Sequence, residues 1–520
     1  MTKEQLSKVA EEQKERLQAL DEAFPVSLVA EPERSAVEQF PPIVVDGVKF
    51  GNGVYVAKTV ADVQKLVDAA RRDELKLRVA GSQHSVKAAV FSGDKRDMRV
   101  ALDGELRLVT VISQDEAGAV VRAGAGCYLG KNPSDPTSTW SNSLNGQLEA
   151  LGVALPILGG ISHQTIAGFL QTSSSGGSLR HGIAEALVAI EWVDGLSHVQ
   201  SFRTGSAEFY AAGVAMGLFG VITHVTFRCE PRYFVDGAEQ NFEMKDSLLE
   251  KANGRYLLED ALARNDYLHL NWFAQRHVMR TMQWVGNRVQ SMEPFVPYDS
   301  VLRSKWMTLL AAAVLRVGNL LTLFDPNDEP VATWIGDLLL KFVPLDEPNK
   351  FHDFWYRALP SDDQVDVDNL ISLHFTEIWL PLSQLTPALD RLIPAIAAEQ
   401  RMAGNFAIEF YAARESPFWM SPANGRDVFR VDVFWWKRNL GDALDFFGMY
   451  WDQLLELPGA RLHWGKFLPI VGKKYGKVTF GPEFIRKAYS DHIEEWLELR
   501  TRFDPKGVFL TSHWKSVFGI

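Results

Sequence analysis

The sequence predicts an α+β protein with two domains, the second built on a large antiparallel sheet. The chain has 520 residues, several times the ~100–200 of a typical domain. Its first part alternates short apolar runs with an amphipathic helical pattern, which is typical of a sheet covered by helices. From about residue 235 onward, long aromatic runs appear, and these are typical of an antiparallel sheet with one buried face.

The composition excludes several classes of protein. Lys and Arg number 54 and Asp and Glu number 65, which gives a formal net charge of −11. Because phosphate repels an acidic chain, we expect no nucleic-acid partner. The two cysteines, Cys127 and Cys229, are too few for a disulfide framework or a Cys-rich zinc module. Histidines and carboxylates show no metal-ligand spacing, so we also expect no metal.

Neither end of the chain carries a readable targeting signal. Residues 2–22 are charged throughout and predict an exposed amphipathic helix. They lack the apolar core of a secretory signal, so we expect a cytoplasmic protein. Residues 306–324 are about as long as a membrane span, but Arg316, Gly318 and Asn319 interrupt them. We therefore expect no transmembrane segment; a buried helix and a helix resting on a membrane surface both stay open.

The first domain is predicted to begin with short strands over residues 41–58, interrupted by glycines. Residues 59–74 have the spacing of an amphipathic helix, and residues 75–80 predict a strand that ends at Gly81. Alternating runs between residues 100 and 121 predict further strands. The predicted segments are an N-terminal helical extension over 1–40, a first domain over 41–235, a second over 236–490 with a helical, proline-rich insertion at about 290–365, and a C-terminal segment over 491–520 that returns to the first domain.

Four aromatic runs in the second domain predict its sheet. They are YLHLNWFAQ, LISLHFTEIWLPL, NFAIEFYAA and VFRVDVFWWK. Near the end of the chain, HIEEWLELRTRF predicts a helix that stops at Asp504 and Pro505, followed by a turn at Gly507.

Three loops rich in small residues are the candidates for ligand binding. The first, Arg78–Ser85, follows a predicted strand, and such loops let backbone N–H groups approach a phosphate. The second runs over residues 159–178 and is dense in Gly, Ser and Thr, which is typical of a ligand-binding loop or of a mobile linker. The third, Met216–Thr223, has two glycines before a β-branched run, and a packed turn would explain it equally well.

These loops, in this order, resemble the vanillyl-alcohol oxidase (PCMH-type) family of FAD flavoproteins. The resemblance rests on RVAGSQHSV, GGISHQTIAGFLQTSSSGGS and AMGLFGVITHVTF. The second half is similar to the aldonolactone and alditol oxidase branch because of Leu462–Lys466, which reads LHWGK, and the run FDPKGVFL. The resemblance spans most of the chain and matches least at the insertion. It implies a PCMH-type FAD-binding domain followed by a substrate (cap) domain.

The family resemblance implies FAD, joined covalently through His84 in the first loop. The implied cofactor contacts come from all three loops: Gly81, Ser82, Gln83 and Ser85; Gly159, Gly160, Ser162, Thr165 and Gly168; and Gly220 and Ile222. Gly159 aligns with a position that gates oxygen in the lactone-oxidising members. A glycine there leaves space beside the flavin and favours an oxidase over a dehydrogenase.

The implied catalytic residues lie in the second domain. Strand alternation places Glu409 and Tyr411 on one face. The branch carries Glu-x-Arg at this point, so Tyr411 is a departure that removes a positive charge. Lys466 is then the cation expected near the flavin, with His463 beside it. The alternatives are a sheet carboxylate paired with a surface cation for Glu409, and a solvated loop for His463 and Lys466.

The resemblance implies an oxidase that transfers hydride from an alcohol CH–OH to FAD and then passes the electrons to O2, giving H2O2. The implied substrate is a polyol, a sugar or an aldonolactone. Three alternatives stay open: an apolar or aromatic alcohol such as a sterol, a dehydrogenase with another acceptor, and a non-catalytic binding protein. The last is favoured only by Ser174–Gly176, which stands where the family usually has Thr-His-Gly.

Overall fold

A computed structural model describes residues 50–51, 54–91, 97–299, 336–337, 339–360, 373–437, 439 and 441–520. The predicted N-terminal extension, the apolar stretch 306–324 and most of the predicted insertion lie outside the described residues. No helix within the described ranges is long and apolar enough to cross a membrane.

The first strands form a mixed sheet around the predicted strand–helix–strand unit. They are β1 (Phe50–Gly51), β2 (Val54–Ala57), β3 (Leu77–Val79) and β4 (Met98–Leu102). Their order is β1-β2-β4-β3, and β4 runs parallel to both β2 and β3. The helix Val60–Arg72 joins β2 to β3, and Thr59 and Asp62 cap it reciprocally. The prediction for this unit is confirmed.

A second sheet carries the middle of the first half. Its strands are β5 (Val109–Asp115), β6 (Gly118–Gly124), β7 (Val153–Ala154), β8 (Leu187–Asp194), β9 (Val199–Arg203) and β10 (Gly220–Pro231). The order is β5-β6-β10-β8-β9, with β7 pairing to β10, and all pairs are antiparallel. The central strand β10 is almost wholly buried. It begins at Gly220, inside the third loop, so this loop leads directly into the core of the sheet.

The second half is organised by an eight-stranded sheet. Its strands are β11 (Phe234–Glu243), β14 (Tyr267–Phe273), β15 (Arg280–Val289), β16 (Asn349–Phe354), β17 (Leu373–Pro381), β18 (Ile408–Ala413), β19 (Val428–Trp436) and β20 (Arg461–Leu462). Two short strand pairs lie outside this sheet: β12 (Lys251–Ala252) with β13 (Arg255–Tyr256), and β21 (Lys474–Tyr475) with β22 (Val478–Thr479). The sheet order is β16-β11-β15-β14-β18-β19-β17-β20, and every neighbouring pair is antiparallel. The four aromatic runs form β14, β17, β18 and β19, which confirms the predicted sheet.

Helices cover these sheets. Besides Val60–Arg72 they include Lys87–Val90, Leu144–Ala150, Ile166–Gln171, Ile183–Ala186, Ala207–Ala212, Leu257–Arg264, Trp355–Ala358, Leu385–Ala398, Ala443–Leu454, Pro482–Ala488, Ile493–Phe503 and Ser512–Phe518. The predicted helix near the end of the chain stops at Phe503, and Gly507 follows in a left-handed conformation with φ 65°. This mixture of helices with a large antiparallel sheet confirms the α+β class.

The C-terminal residues contact the first sheet. The N–H of Leu77 donates to the carbonyl of Val508 at 2.9 Å, and the indole of Trp514 donates to the carbonyl of Ala89 at 3.0 Å. Asp504 holds the intervening turn, because its carboxylate accepts from the backbone N–H of Val508. The last part of the chain therefore packs against the strand and the short helix that flank the first loop.

Candidate active site

A cleft collects residues from all three small-residue loops and from the LHWGK segment. Its empty space is about 1360 Å³, part of which is open solvent at the mouth. The predicted site residues that line it are Gly81, Ser82, Gln83, His84, Ser85, Thr165, Gly168, Gly220, Ile222, His463 and Lys466. Segments almost four hundred residues apart thus meet at one place.

The first loop leaves β3 and turns sharply against the second. Gln83 has φ 63°, an uncommon conformation for a residue other than glycine. Gly81 lies against Thr165 so closely that a Cβ at Gly81 would collide with the Thr165 hydroxyl. The Ser82 hydroxyl donates to the carbonyl of His163. These contacts hold the loop in one shape at the wall of the cleft.

His84 lies in this loop at the cleft wall and is half-buried. Its ring centre is 4.5 Å from that of His163, with the two planes at 60°. The contact limits how the His84 ring can turn. An imidazole held in this way is suitable for attachment to a bound ligand.

The second loop leads into the helix Ile166–Gln171, whose N-cap is Thr165. The Thr165 hydroxyl accepts from the N–H of Gly168 at 3.2 Å, and both residues line the cleft. Three other predicted cofactor contacts do not line it: Gly159, Gly160 and Ser162. A Cβ at Gly159 would lie 3.4 Å from the Phe169 ring and 3.9 Å from Oε1 of Gln164, which does line the cleft.

The third loop approaches the cleft through glycines. Met216 and Gly217 both have positive φ, at 51° and 69°. The N–H of Gly217 donates to Gln171 Oε1 at 3.0 Å, which joins this loop to the second one. A side chain at Gly220 would collide with the carbonyl of Val193 on β8. The two glycines are therefore required by backbone shape and close packing.

Arg78 connects the first and third loops with the C-terminal segment, and the sequence did not reveal this role. Its buried guanidinium lines the cleft and donates all five N–H groups to backbone carbonyls. The acceptors are Ala89, Val90, Met216, Gly217 and Phe509, at 2.7–3.2 Å. Burial lowers the pKa of Arg78 to about 10, although Asp504 opposes the shift.

The LHWGK segment lies directly beside the first loop. The N–H of Val86 donates to the carbonyl of Gly465 at 2.9 Å. His463 is 2% exposed and Lys466 is 9% exposed, so a solvated loop is the wrong description of this segment. The Lys466 ammonium lies 3.6 Å from the centre of the Phe375 ring. One end of the cleft is therefore closed by a buried lysine and a buried histidine.

Glu409 and Tyr411 do not line the cleft but belong to a polar cluster next to it. The Tyr411 hydroxyl donates to Glu409 Oε2 at 2.6 Å. Arg430, on the neighbouring strand, lies 4.9 Å from the centre of the Tyr411 ring. It also bonds Glu377 at 3.0 Å and Asp432 at 2.8 Å. A buried positive charge therefore lies next to Tyr411. The sequence had indicated that no such charge would be present, because Tyr411 replaces the arginine of the branch.

Sequence reasoning missed four members of this cluster: His269, Glu377, Arg430 and Asp432. The available signal was charged residues within two aromatic strands. In β17 and β19 these are Glu377, Arg430 and Asp432, each at most 4% exposed. Buried charges are rare unless they are paired, so such residues mark a built polar site.

The pKa values of Glu377 and His463 both lie below their usual values, which leaves the carboxyl ionised and the imidazole neutral. Burial opposes ionisation of Glu377, but His463, Arg430 and Lys466 outweigh it and hold the pKa of this carboxyl below its usual value. Burial lowers the pKa of His463 to about 4, against the influence of Glu377. At neutral pH the cluster therefore contains an ionised Glu377 and a neutral His463.

Acid should destabilise the protein through His463. Its folded-state pKa is about 4 against an ordinary 6.5, so the unfolded chain binds a proton first as the pH falls. The contribution is complete above pH 6.5 and is lost as the pH falls through 4, on the order of 3 kcal/mol. Urea unfolding across this range should show a shallower pH dependence for His463→Gln than for the wild type. His198→Gln, at an exposed histidine, should leave the dependence unchanged.

The cleft has the features that FAD requires. Small residues from three loops bring backbone close to its interior, where a diphosphate would bind. Behind them lies Arg78, whose positive charge has only carbonyls as hydrogen-bond partners among the described residues. Lys466 adds a second cation to the lining of the cleft, on the segment beside the first loop. Among the described residues, no group of three or more His, Cys, Asp or Glu side chains could hold a metal ion.

Two family comparisons match this organisation. The D-arabinono-1,4-lactone oxidase family matches residues 225–517, and the FAD binding domain family matches residues 52–202. Together they cover the first two loops, the large sheet and the LHWGK segment, and the third loop lies between the two matched ranges.

Individual relatives cover nearly the whole chain. L-gulonolactone oxidase from Scyliorhinus torazame is 22% identical over 88% of this chain and 93% of its own length. L-gulonolactone oxidase from Mus musculus is 23% identical over 89% and 94%. D-arabinono-1,4-lactone oxidase from Saccharomyces cerevisiae is 24% identical over 50% of this chain and 46% of its own length.

Solved structures share the fold. Cholesterol oxidase from B. sterolicum superposes with a TM-score of 0.65 at 14% identity, covering 89% of this chain and 94% of that chain. A solvent-stable cholesterol oxidase gives the same TM-score and identity over 90% and 96%. At this identity the likeness establishes the fold alone.

Proposed function

The chain belongs to the D-arabinono-1,4-lactone oxidase family, and we propose that it is an FAD-dependent oxidase of an aldonolactone or a related sugar or polyol. The family membership confirms the resemblance found in the sequence. The observation that carries the proposal is the meeting of the three small-residue loops with His463 and Lys466 in one cleft. The loops supply the cofactor site, and the two buried side chains supply polar groups at its end.

The cofactor would lie along the cleft. The backbone N–H groups of the first loop would hold the diphosphate, with the positive charge of Arg78 nearby, while the start of β10 would contact the adenine end. Bound FAD would supply a two-electron acceptor for the hydride of the alcohol and, once reduced, a two-electron donor to O2. The remaining chemistry belongs to the protein: it must bind the hydroxyl, remove its proton and stabilise the developing charge.

Two residues are proposed for these tasks. Glu409 is suited to accept the hydroxyl proton, because one of its oxygens already accepts from the Tyr411 hydroxyl at 2.6 Å. Lys466 is suited to stabilise negative charge in the transition state, because it is 9% exposed and keeps its position on the Phe375 ring. His463, which is neutral near pH 7, would orient the segment by accepting from the N–H of Gly465 at 3.1 Å.

The substrate class follows from the polarity of the cluster. The cluster next to the cleft contains a carboxyl, a phenol and a guanidinium, and such groups form hydrogen bonds with hydroxyl groups of the kind that a lactone or a polyol carries. The apolar stretch that motivated the sterol alternative lies outside the described residues.

The proposal is tested by adding substrates to the purified protein loaded with FAD. L-Gulono-1,4-lactone, D-arabinono-1,4-lactone and an alditol should bleach the flavin spectrum without oxygen, and air should restore it with release of H2O2. Cholesterol is the comparison substrate. Bleaching by cholesterol alone would establish the sterol alternative, and protein that takes up no FAD would overturn the oxidase.

Gly159→Ala tests the choice of oxygen as acceptor. The added methyl fits, since it would lie 3.4 Å from Phe169, so the fold should be kept. We expect slower reoxidation by O2 and unchanged flavin reduction by substrate, because the family resemblance places Gly159 where a methyl group would narrow the path of O2 to the flavin. Stopped-flow measurement of the two half-reactions would show this. Equal changes in both would contradict an oxygen-gating role.

A further inference from the structure

The C-terminal segment, residues 504–518, forms part of the wall of the cleft. Phe509 and Trp514 of this segment line the cleft together with Arg78 and Ala89. The carbonyl of Phe509 accepts from Arg78 Nη1 at 3.0 Å. The carbonyl of Ala89 accepts from Arg78 Nη2 at 3.1 Å and from Trp514 Nε1 at 3.0 Å. One guanidinium therefore both lines the cleft and holds the segment against it.

This guanidinium is buried without a carboxylate bonded to it. Arg78 is 7% exposed, and its five N–H groups all donate to backbone carbonyls. Asp504 attracts it from a distance, but the carboxylate of Asp504 is occupied elsewhere. Its oxygens accept from Arg500 at 3.1 Å and from the N–H groups of Val508 and Phe509 at 2.7 and 2.9 Å. Because a buried charge without a directly bonded counter-ion is costly, an anion in the cleft would stabilise this arrangement.

The diphosphate of FAD is such an anion. The first loop, which would hold it, lines the same cleft as Arg78. If the C-terminal segment left its place, Arg78 would lose the carbonyl of Phe509 and water would reach the guanidinium. Water screens a charge far more strongly than a buried site does, so the attraction between Arg78 and the diphosphate is greatest when the segment is docked.

We propose that Arg78 is a positioning residue that couples the binding of FAD to the docking of the C-terminal segment. The inference rests on the cofactor of the proposed function but not on its substrate. With FAD bound, the segment opens less often, and with the segment docked, FAD is released less often. Such coupling is reciprocal, and its usual strength corresponds to about 5–150-fold in either equilibrium.

Hydrogen exchange of the full-length protein tests the coupling. Protein purified from cells grown with limiting riboflavin is measured before and after FAD is added. The amide of Leu77, which donates to the carbonyl of Val508 at 2.9 Å, and the amides of residues 504–518 should exchange about tenfold more slowly with FAD. The helix Leu385–Ala398, whose residues do not line the cleft, is the internal reference and should be unchanged.

Two variants assign the coupling to Arg78. Arg78→Met removes the charge, so FAD should no longer slow exchange in residues 504–518, and FAD should bind on the order of tenfold more weakly. Arg461→Met is the matched control. Arg461 is 4% exposed and also donates to backbone carbonyls, but it does not line the cleft. Exchange in that variant should still slow when FAD is added, even if the protein is less stable.

The outcomes separate this inference from the proposed function. A wild type that binds FAD but shows equal exchange of residues 504–518 with and without it overturns the coupling alone, even if Arg78→Met fails to fold. Slowing by FAD that persists in Arg78→Met, or that is lost equally in Arg461→Met, removes the role from Arg78. A structural role without coupling would speed exchange equally with and without FAD. Protein that takes up no FAD rejects both the coupling and the proposed function.

Discussion

Lys466→Met is expected to slow flavin reduction by substrate about 10²–10³-fold, as the loss of one preorganised charge does in other active sites. Methionine keeps an unbranched stem against the Phe375 ring, where the lysine ammonium lies at 3.6 Å. It removes only the positive charge. The fold and the bound FAD should therefore be retained, because the contacts that shape the first loop do not involve this side chain.

Anaerobic stopped-flow reduction, with the FAD content of each preparation measured first, gives the answer. Lys473→Met is the matched control, since Lys473 is half-exposed and lies in the segment that follows. That variant should reduce at the wild-type rate. A Lys466→Met protein that reduces its flavin normally would remove Lys466 from the mechanism and leave Glu409 as the residue to examine.

We propose that His84 carries a covalent link to the flavin, and His84→Ala is then expected to leave a flavin that acid extracts. His84 lines the cleft in the loop that the family resemblance associates with the flavin link, and an alanine has no atom able to form that bond. After acid precipitation, the wild type should keep its yellow colour in the pellet. The variant should release its flavin to the supernatant, since the loops still bind FAD non-covalently.

The control for this experiment is His163→Ala. The His163 ring packs on His84 at 4.5 Å, and its carbonyl, which alanine retains, accepts from Ser82. Flavin should stay covalent in this variant, with slower attachment if the ring positions His84. Covalent flavin in His84→Ala would show that another residue carries the link. Release from both variants and from the wild type would mean that FAD is bound without a tether.

Sequence patterns predicted the regular elements well. Alternating aromatic and polar residues placed β14, β17, β18 and β19, and the helical spacing after Thr59 placed Val60–Arg72. Such patterns are local: they record which face of one element meets the core. The three small-residue loops could also be recognised in the sequence, because backbone segments that pack closely need runs of small residues.

The sequence predicted only some of the contacts between side chains on different strands. From the sequence, Tyr411 indicated the loss of a cation, yet Arg430 on the neighbouring strand lies over its ring. The pairing that brings them together depends on the strand order β18-β19-β17, which carries no signature in any one strand. For the same reason Glu377 and Asp432 looked like ordinary strand residues.

The amino-acid sequence by itself therefore determined the class of fold, the three loops and the family to which the chain belongs. Only the tertiary structure decided that Arg78 joins two of those loops to the C-terminal segment, and that Arg430 pairs with both Glu377 and Asp432 near Lys466. The physical reason is distance along the chain. Periodicity and turn chemistry act over a few residues, whereas hydrogen bonding and charge balance in a buried site depend on residues that only folding brings together.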